Sequence, residues 1–226
     1  MGDFAFDDEV AEVFPDMIAR SVPGYASILS MIEQLSVRFI QPNTNVYDLG
    51  CSLGAATLLM RRQARQGCVI HAVDNAPAMA SRLRQTLTQR NIDRVEVHVA
   101  DVRGFPITHA SFVVLNLTLQ FIPPAERRDV LADIWQGLDP GGALLLSEKV
   151  WFEEPAVDEL LVELHHDFKR AHGYSDLEIA QKRAAIENQL IPETSEKHAQ
   201  RLSSIGFRVV APWFQCFNFV SVLAIK

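Results

Sequence analysis

Apolar and polar positions change period near residue 44, and that change divides the chain. Before it, Val10, Val13 and Met17 recur at helical spacing behind Asp7 and Asp8, which predicts a capped helix running to about Arg20. Pro23-Gly24 interrupts it. Ile28, Met31, Ile32, Leu35 and Phe39 then predict a second helix that starts around Tyr25. From residue 44, short apolar runs alternate with amphipathic stretches, the pattern of a parallel sheet with crossover helices. Strands are expected over 45–49, 68–73, 95–100, 110–116 and 142–149, with helices at about 53–66, 76–91 and 124–137. Residues 151–204 read as helical, and the tail 206–225 predicts two apolar strands joined by a turn at Ala211-Pro212. The expected organisation is one α/β domain over 1–226. It has a helical lead-in (1–41), a ligand-binding core (42–150), a helical insert (151–205) and a C-terminal hairpin (206–226).

Composition narrows the class without naming it. A chain of 226 residues with 48% hydrophobic and 22% charged residues is long and apolar enough to bury a core. A formal charge of −7 argues against a broad nucleic-acid surface. Cys51, Cys68 and Cys216 form no C-x-x-C pair, so reduced thiols are expected, with neither disulfide nor metal. No apolar run approaches the twenty residues of a membrane span, and no leader-like segment is legible. The expectation is a soluble cytoplasmic protein that meets neither membrane nor nucleic acid directly.

The chemistry concentrates where the first strand ends, at Val46-Tyr47-Asp48-Leu49-Gly50-Cys51-Ser52-Leu53-Gly54-Ala55-Ala56-Thr57. A strand, a glycine turn and a helix opening at or near Ser52 would present backbone N–H groups to an anionic ligand. The dinucleotide fingerprint G-x-G-x-x-G does not fit, because Ser52 replaces its middle glycine and Gly54 comes one residue early. An acid two residues before the first of two glycines four apart instead resembles the first motif of class I S-adenosyl-L-methionine-dependent methyltransferases. Asp74 ends the second strand about twenty residues on, where an acid accepts from both ribose hydroxyls or, read alone, caps a helix. Asn75 follows it. Asp101 and Val102 follow the third strand, at the place where that superfamily meets adenine. Three successive strands each ending in an Asp make adenosine binding the expectation.

The fourth strand ends in Asn116, with Thr118 and Gln120 beyond, all neutral, and no side chain there is a ready general base. A conventional small-molecule methyltransferase remains an alternative at this point, as does a non-catalytic binding partner. In the insert, Leu164-His165-His166-Asp167-Phe168-Lys169-Arg170 reads mainly as a solvated helix face. His165 and Lys169 share a side of it, and His165 with His166 lacks the spacing of a metal site. Tyr25, read alone, is a rim residue at a helix start. Arg183 would matter if it met a carboxylate in the cleft, where a guanidinium binds in bidentate fashion.

Asp48 to Thr57, Val114 to Phe121, His165 to Arg170, Gln181-Lys182-Arg183 and Trp213 to Phe219 together resemble the carboxy-S-adenosyl-L-methionine synthases, over nearly the whole chain. The resemblance implies a Rossmann-like class I methyltransferase fold: a mostly parallel sheet with a C-terminal antiparallel hairpin, N-terminal helices and a helical insert. It implies that S-adenosyl-L-methionine and prephenate become carboxy-S-adenosyl-L-methionine and phenylpyruvate, without a metal. The product would pass to an enzyme that carboxymethylates the wobble uridine of transfer RNA. Tyr25, Gly50, Cys51, Ser52, Asp74, Asn75, Asp101, Val102 and Asn116 would line the nucleoside site. Arg183 would grip the new carboxylate, reaching across a homodimer into the neighbouring subunit.

Overall fold

A computed structural model describes residues 7–180 and 189–226. Its centre is a seven-stranded sheet in the order β3-β2-β1-β4-β5-β7-β6. The strands are β1 (Asn45–Leu49), β2 (Val69–Asp74), β3 (Val95–Val99), β4 (Ala110–Asn116), β5 (Leu138–Lys149), β6 (Val209–Cys216) and β7 (Phe219–Ile225). The first five run parallel; β7 is antiparallel to both β5 and β6. The mostly parallel sheet with its closing hairpin is therefore as expected. Helices α1 (Asp8–Ser21), α2 (Tyr25–Phe39), α3 (Ala55–Gln63), α4 (Pro77–Gln89), α5 (Arg127–Gly137), α6 (Pro155–Ala171) and α7 (Ser195–Ile205) surround it.

Strand alternation sorts the core onto two faces. Val46, Ile70, Phe112, Val114 and Leu145 pack with Ile28 and Ile32 of α2 on one side. Tyr47, Leu49, Val113, Leu115, Leu144 and Leu146 pack with Val130, Leu131 and Ile134 of α5 and Leu202 of α7 on the other. A sheet covered on both faces needs near-continuous apolar strands, and β4 is buried from Ala110 to Leu115.

Among the boundaries that differ from the sequence reading, four have a local reason. The final turn falls at Phe217-Asn218, where Phe217 takes φ 50°, and not at Ala211-Pro212. Pro212 sits inside β6, which tolerates it as an edge strand whose register shifts between Pro212 and Phe214. Helix α3 starts at Ala55, later than expected, because Ser52 and Gly54 both take left-handed backbone angles and keep the turn open. Pro140-Gly141-Gly142 lies within β5 as an irregularity against β4, between the pairs Ala110–Leu138 and Phe112–Ala143. Residues 189–194 are not helical; Glu193 forms an isolated bridge with Val150 and fixes this part of the insert.

Candidate functional site at the carboxyl ends of the strands

Register places the predicted site residues at one level. Asp48 pairs with Ala72 and with Val114, so two residues further along, Gly50, Asp74 and Asn116 stand side by side. Asp74 pairs with Val99, which puts Asp101 just beyond. Sheet order reverses at β1, between β2 and β4, and the ends of parallel strands there open the crevice in which such sheets bind ligands.

The turn after β1 is held by the second strand. Gly50 and Cys51 donate their N–H groups to Val73 O at 2.8 and 3.0 Å. Ser52 N–H donates to Asp74 Oδ2 at 2.7 Å, and Ala76 N–H to Asp74 Oδ1 at 2.9 Å. Asp74 thus ties two turns together and still has a lone pair on each oxygen for a diol. Burial raises its pKa, against the pull of the two N–H donors. Asn75 is exposed beside it. Gly50 has φ +81°, and a Cβ built there would lie 2.2 Å from Thr118 Oγ1. The close approach of the β4 end to the turn requires glycine.

Beneath the turn, Asp48 is buried and accepts a hydrogen bond from Thr57 Oγ1. Desolvation pushes its pKa up to about 6. Burial also raises the Tyr25 hydroxyl, and the negative field of Asp48 adds to that. The Cys51 thiol is raised by burial and by Asp48 and Asp74, which keeps it protonated. Phe214 of β6 fills the space beside Gly24, the left-handed residue before α2, and so seats the helix that carries Tyr25.

Asn116 offers a buried acceptor at the tip of β4. Its Oδ1 is buried and accepts no hydrogen bond among the described residues. A buried amide oxygen at a strand tip stays there at a cost unless a ligand or water donates to it. Asn218 Oδ1 is in the same condition at the start of β7. Register places Asn116 beside Ser147, and Ser147 beside Ser221, whose hydroxyls lie 2.7 Å apart; Lys149 comes two residues further on the same face. The strand ends thus bring together acceptors that a donor-rich ligand could meet: the Asp74 carboxylate, the Asn116 amide oxygen and, beside them, the glycine turn at position 50.

Asp101 lies where expected, but both its oxygens receive Arg103. Nε donates at 3.0 and 2.9 Å, and Arg103 also reaches Glu126 at 2.7 Å. Arg103 holds the Asp101 carboxyl below its usual range. Val102 packs against the core at the foot of the same turn. Nothing in the spacing signalled the Arg103 clamp.

The insert departs from the solvated-face reading at one residue. His165 is buried, its Nε2 lies 2.8 Å from Ser21 O and its ring meets Phe219 edge-on at 5.0 Å. Burial and the neighbouring Lys169 lower its pKa to about 3, so it is neutral. Arg170 behaves as read, exposed between Asp167 and Asp176. Gln181, Lys182 and Arg183 lie outside the described residues. Among the described residues no helix is long and apolar enough to cross a membrane.

Known proteins bear on this geometry in three ways. A family model described as a methyltransferase domain matches residues 46–142. A carboxy-S-adenosyl-L-methionine synthase of Erwinia tasmaniensis is 58% identical over 100% of this chain and 93% of its own. The enzyme of that name from Vibrio campbellii is 57% identical with the same coverage. Among solved structures, a SAM-dependent methyltransferase from Aquifex aeolicus superposes with a TM-score of 0.64 at 13% identity, over 97% of this chain and 98% of that one. An O-methyltransferase family protein from Burkholderia thailandensis gives 0.68 at 20% identity, over 97% of this chain and 60% of that one. At such identities the structural likeness concerns the fold.

Proposed function

The chain belongs to the carboxy-S-adenosyl-L-methionine synthase family, and from that premise we propose that it moves a carboxyl group from prephenate onto the sulfonium methyl of S-adenosyl-L-methionine, releasing phenylpyruvate. The observation that carries the reading is identity of 57–58% across the whole chain to enzymes of that name. The strand tips fit it, since Asn116 leaves a buried acceptor where a nucleoside would supply a donor.

The reaction balances without an external reagent. The bond from the prephenate ring to its carboxylate breaks, and its electron pair aromatises the ring and expels the ring hydroxyl. That hydroxide takes a proton from the sulfonium methyl and becomes water. The carbon so freed forms a new bond to the CO2 just released. Aromatisation supplies the driving force, so the protein needs no strong base; its part is proximity, exclusion of water and a matching field.

In this scheme the Asp74 carboxylate and Asn75 hold the ribose, and Asp101 with the Val102 N–H meets the adenine. The Gly50-Cys51-Ser52 turn passes close under the nucleoside, while Tyr25 and Asn116 border the sulfonium. Arg183 grips the carboxylate of the product, from the second subunit of a homodimer. The product then serves an enzyme that carboxymethylates the wobble uridine of transfer RNA.

Mass analysis tests the reading. The protein incubated with S-adenosyl-L-methionine and prephenate should yield a nucleoside heavier by one carboxyl group, together with phenylpyruvate. S-adenosylhomocysteine appearing with a methylated prephenate would overturn it in favour of ordinary methyl transfer.

A further inference from the structure

Among the described residues, one group away from the strand tips brings three metal-ligating atoms together: His71 on β2 with Glu96 and His98 on β3. Strand register forces the meeting. His71 pairs directly with Glu96, and His98 lies two residues beyond Glu96, so all three side chains project from the same face. That face carries the row Val113, Tyr47, His71, Glu96 across β4, β1, β2 and β3. The row is apolar until it reaches the sheet edge, where it ends in two imidazoles and a carboxylate.

The distances have the form of a coordination shell. His71 Nδ1 is 3.1 Å from His98 Nε2 and 3.5 Å from Glu96 Oε2, and His98 Nε2 is 3.9 Å from the same oxygen. Ligands about 2.0–2.1 Å from a tetrahedral zinc ion stand about 3.4 Å from one another, so each edge agrees to within roughly 0.6 Å. Without a metal, two ring nitrogens face each other and only one can carry the shared proton. The His71 ring is fixed by stacking on Tyr47 at 4.8 Å, and the His98 ring by Phe105 at 5.1 Å. Side-chain exposure rises from 17% at His71 through 31% at His98 to 58% at Glu96, so one side opens to solvent for entry and for a fourth, water ligand.

We propose that His71, Glu96 and His98 form a site for a divalent first-row metal of the zinc type, bound by two imidazoles and one carboxylate with a fourth position open to water. It is separate from the nucleoside site, since His71 and His98 each stand three residues, about 10 Å, before Asp74 and Asp101 on their strands. Its effect would be to join the edge strand β3 to β2 beneath the turn that carries Asp101 and Val102, because Phe105 packs on His98 and its N–H reaches Val102 O at 3.4 Å.

The test is titration of the full-length protein with Co2+ alone, followed by visible absorption and by displacement with Zn2+. Wild type should take up one equivalent with the intense bands of a tetrahedral nitrogen–oxygen site, and Zn2+ should raise its melting temperature. His98→Ala and Glu96→Gln, both at partly exposed positions, should each weaken binding by at least about 10-fold while keeping the wild-type circular dichroism. Failure of wild type to bind would overturn the proposal. So would equal affinity in the two variants, or sulfur charge-transfer bands placing the ion on a cysteine.

Discussion

Thr118 stands where a side chain at position 50 would have to go. Its Oγ1 donates to Leu49 O at 2.9 Å and lies 2.2 Å from a Cβ built on Gly50, whose φ is +81°. Gly50→Ala therefore combines left-handed strain with overpacking, together about 2–5 kcal/mol. Chemical denaturation should show that loss. In a double-mutant cycle, Gly50→Ala/Thr118→Ala should be more stable than Gly50→Ala alone. A double variant weaker than the single one would mean that the contact is not what excludes a side chain.

Asp74 is expected to matter through its two oxygens separately. Asn in its place keeps one acceptor and turns an NH2 group toward a backbone N–H, at Ser52 or at Ala76. Affinity for S-adenosyl-L-methionine should fall about 10- to 100-fold, the consequence of one unsatisfied buried donor and one lost ribose contact. Isothermal titration reads this; unchanged affinity would remove Asp74 from the ribose site.

Arg183 is expected to separate two ligands. Arg183→Ala should leave S-adenosyl-L-methionine binding within about 3-fold and weaken carboxy-S-adenosyl-L-methionine by 10-fold or more, as loss of a charge-assisted bond predicts. Arg183→Lys should recover only part, because an ammonium cannot pair in bidentate fashion. Equal loss of both ligands would place the residue elsewhere.

Arg127 anchors the stretch of the insert around Ile191 and Glu193. Its guanidinium is fully buried and donates to Glu193 Oε2 at 2.6 Å, to Ile191 O at 2.6 Å and to Gln120 O at 3.2 Å. Burial works against ionised Glu193, but Arg201 and Arg127 outweigh it and hold the carboxyl below its usual range. Arg127→Leu should cost about 2–4 kcal/mol, because it takes the donor from the Ile122 and Ile191 carbonyls and removes one of the two guanidinium groups that hold Glu193. A loss under 1 kcal/mol in urea unfolding would contradict this.

His198 should make the fold acid-sensitive. It is buried, neither ring nitrogen has a hydrogen-bond partner among the described residues, and desolvation followed by Arg201 lowers its pKa to about 4. The unfolded chain binds that proton more readily, so its contribution is complete above about pH 6.5 and is lost as pH falls toward 4. The loss is on the order of 3 kcal/mol. Asp48, raised to about 6, acts in the opposite sense over nearly the same range, so the comparison must be between variants. His198→Leu should flatten the acid limb of wild-type stability; parallel profiles would exclude the residue.

The sequence by itself determined what depends on neighbours along the chain. Strand and helix periods, the Gly50 to Gly54 turn, and an acid at the end of each of three strands are local patterns, because period and chain reversal are set within a few residues. Those residues also carried the family resemblance. Tertiary structure alone decided what depends on register between strands far apart in sequence. It buried His165 under Ser21, carried Arg103 across to Glu126, put Thr118 over Gly50 and left Asn116 Oδ1 without a partner among the described residues. It also brought His71 to His98 across 27 residues, a meeting that no spacing rule describes. Two strands that each alternate inward and outward yield a shared face only once their pairing is fixed, and the sheet as a whole fixes it.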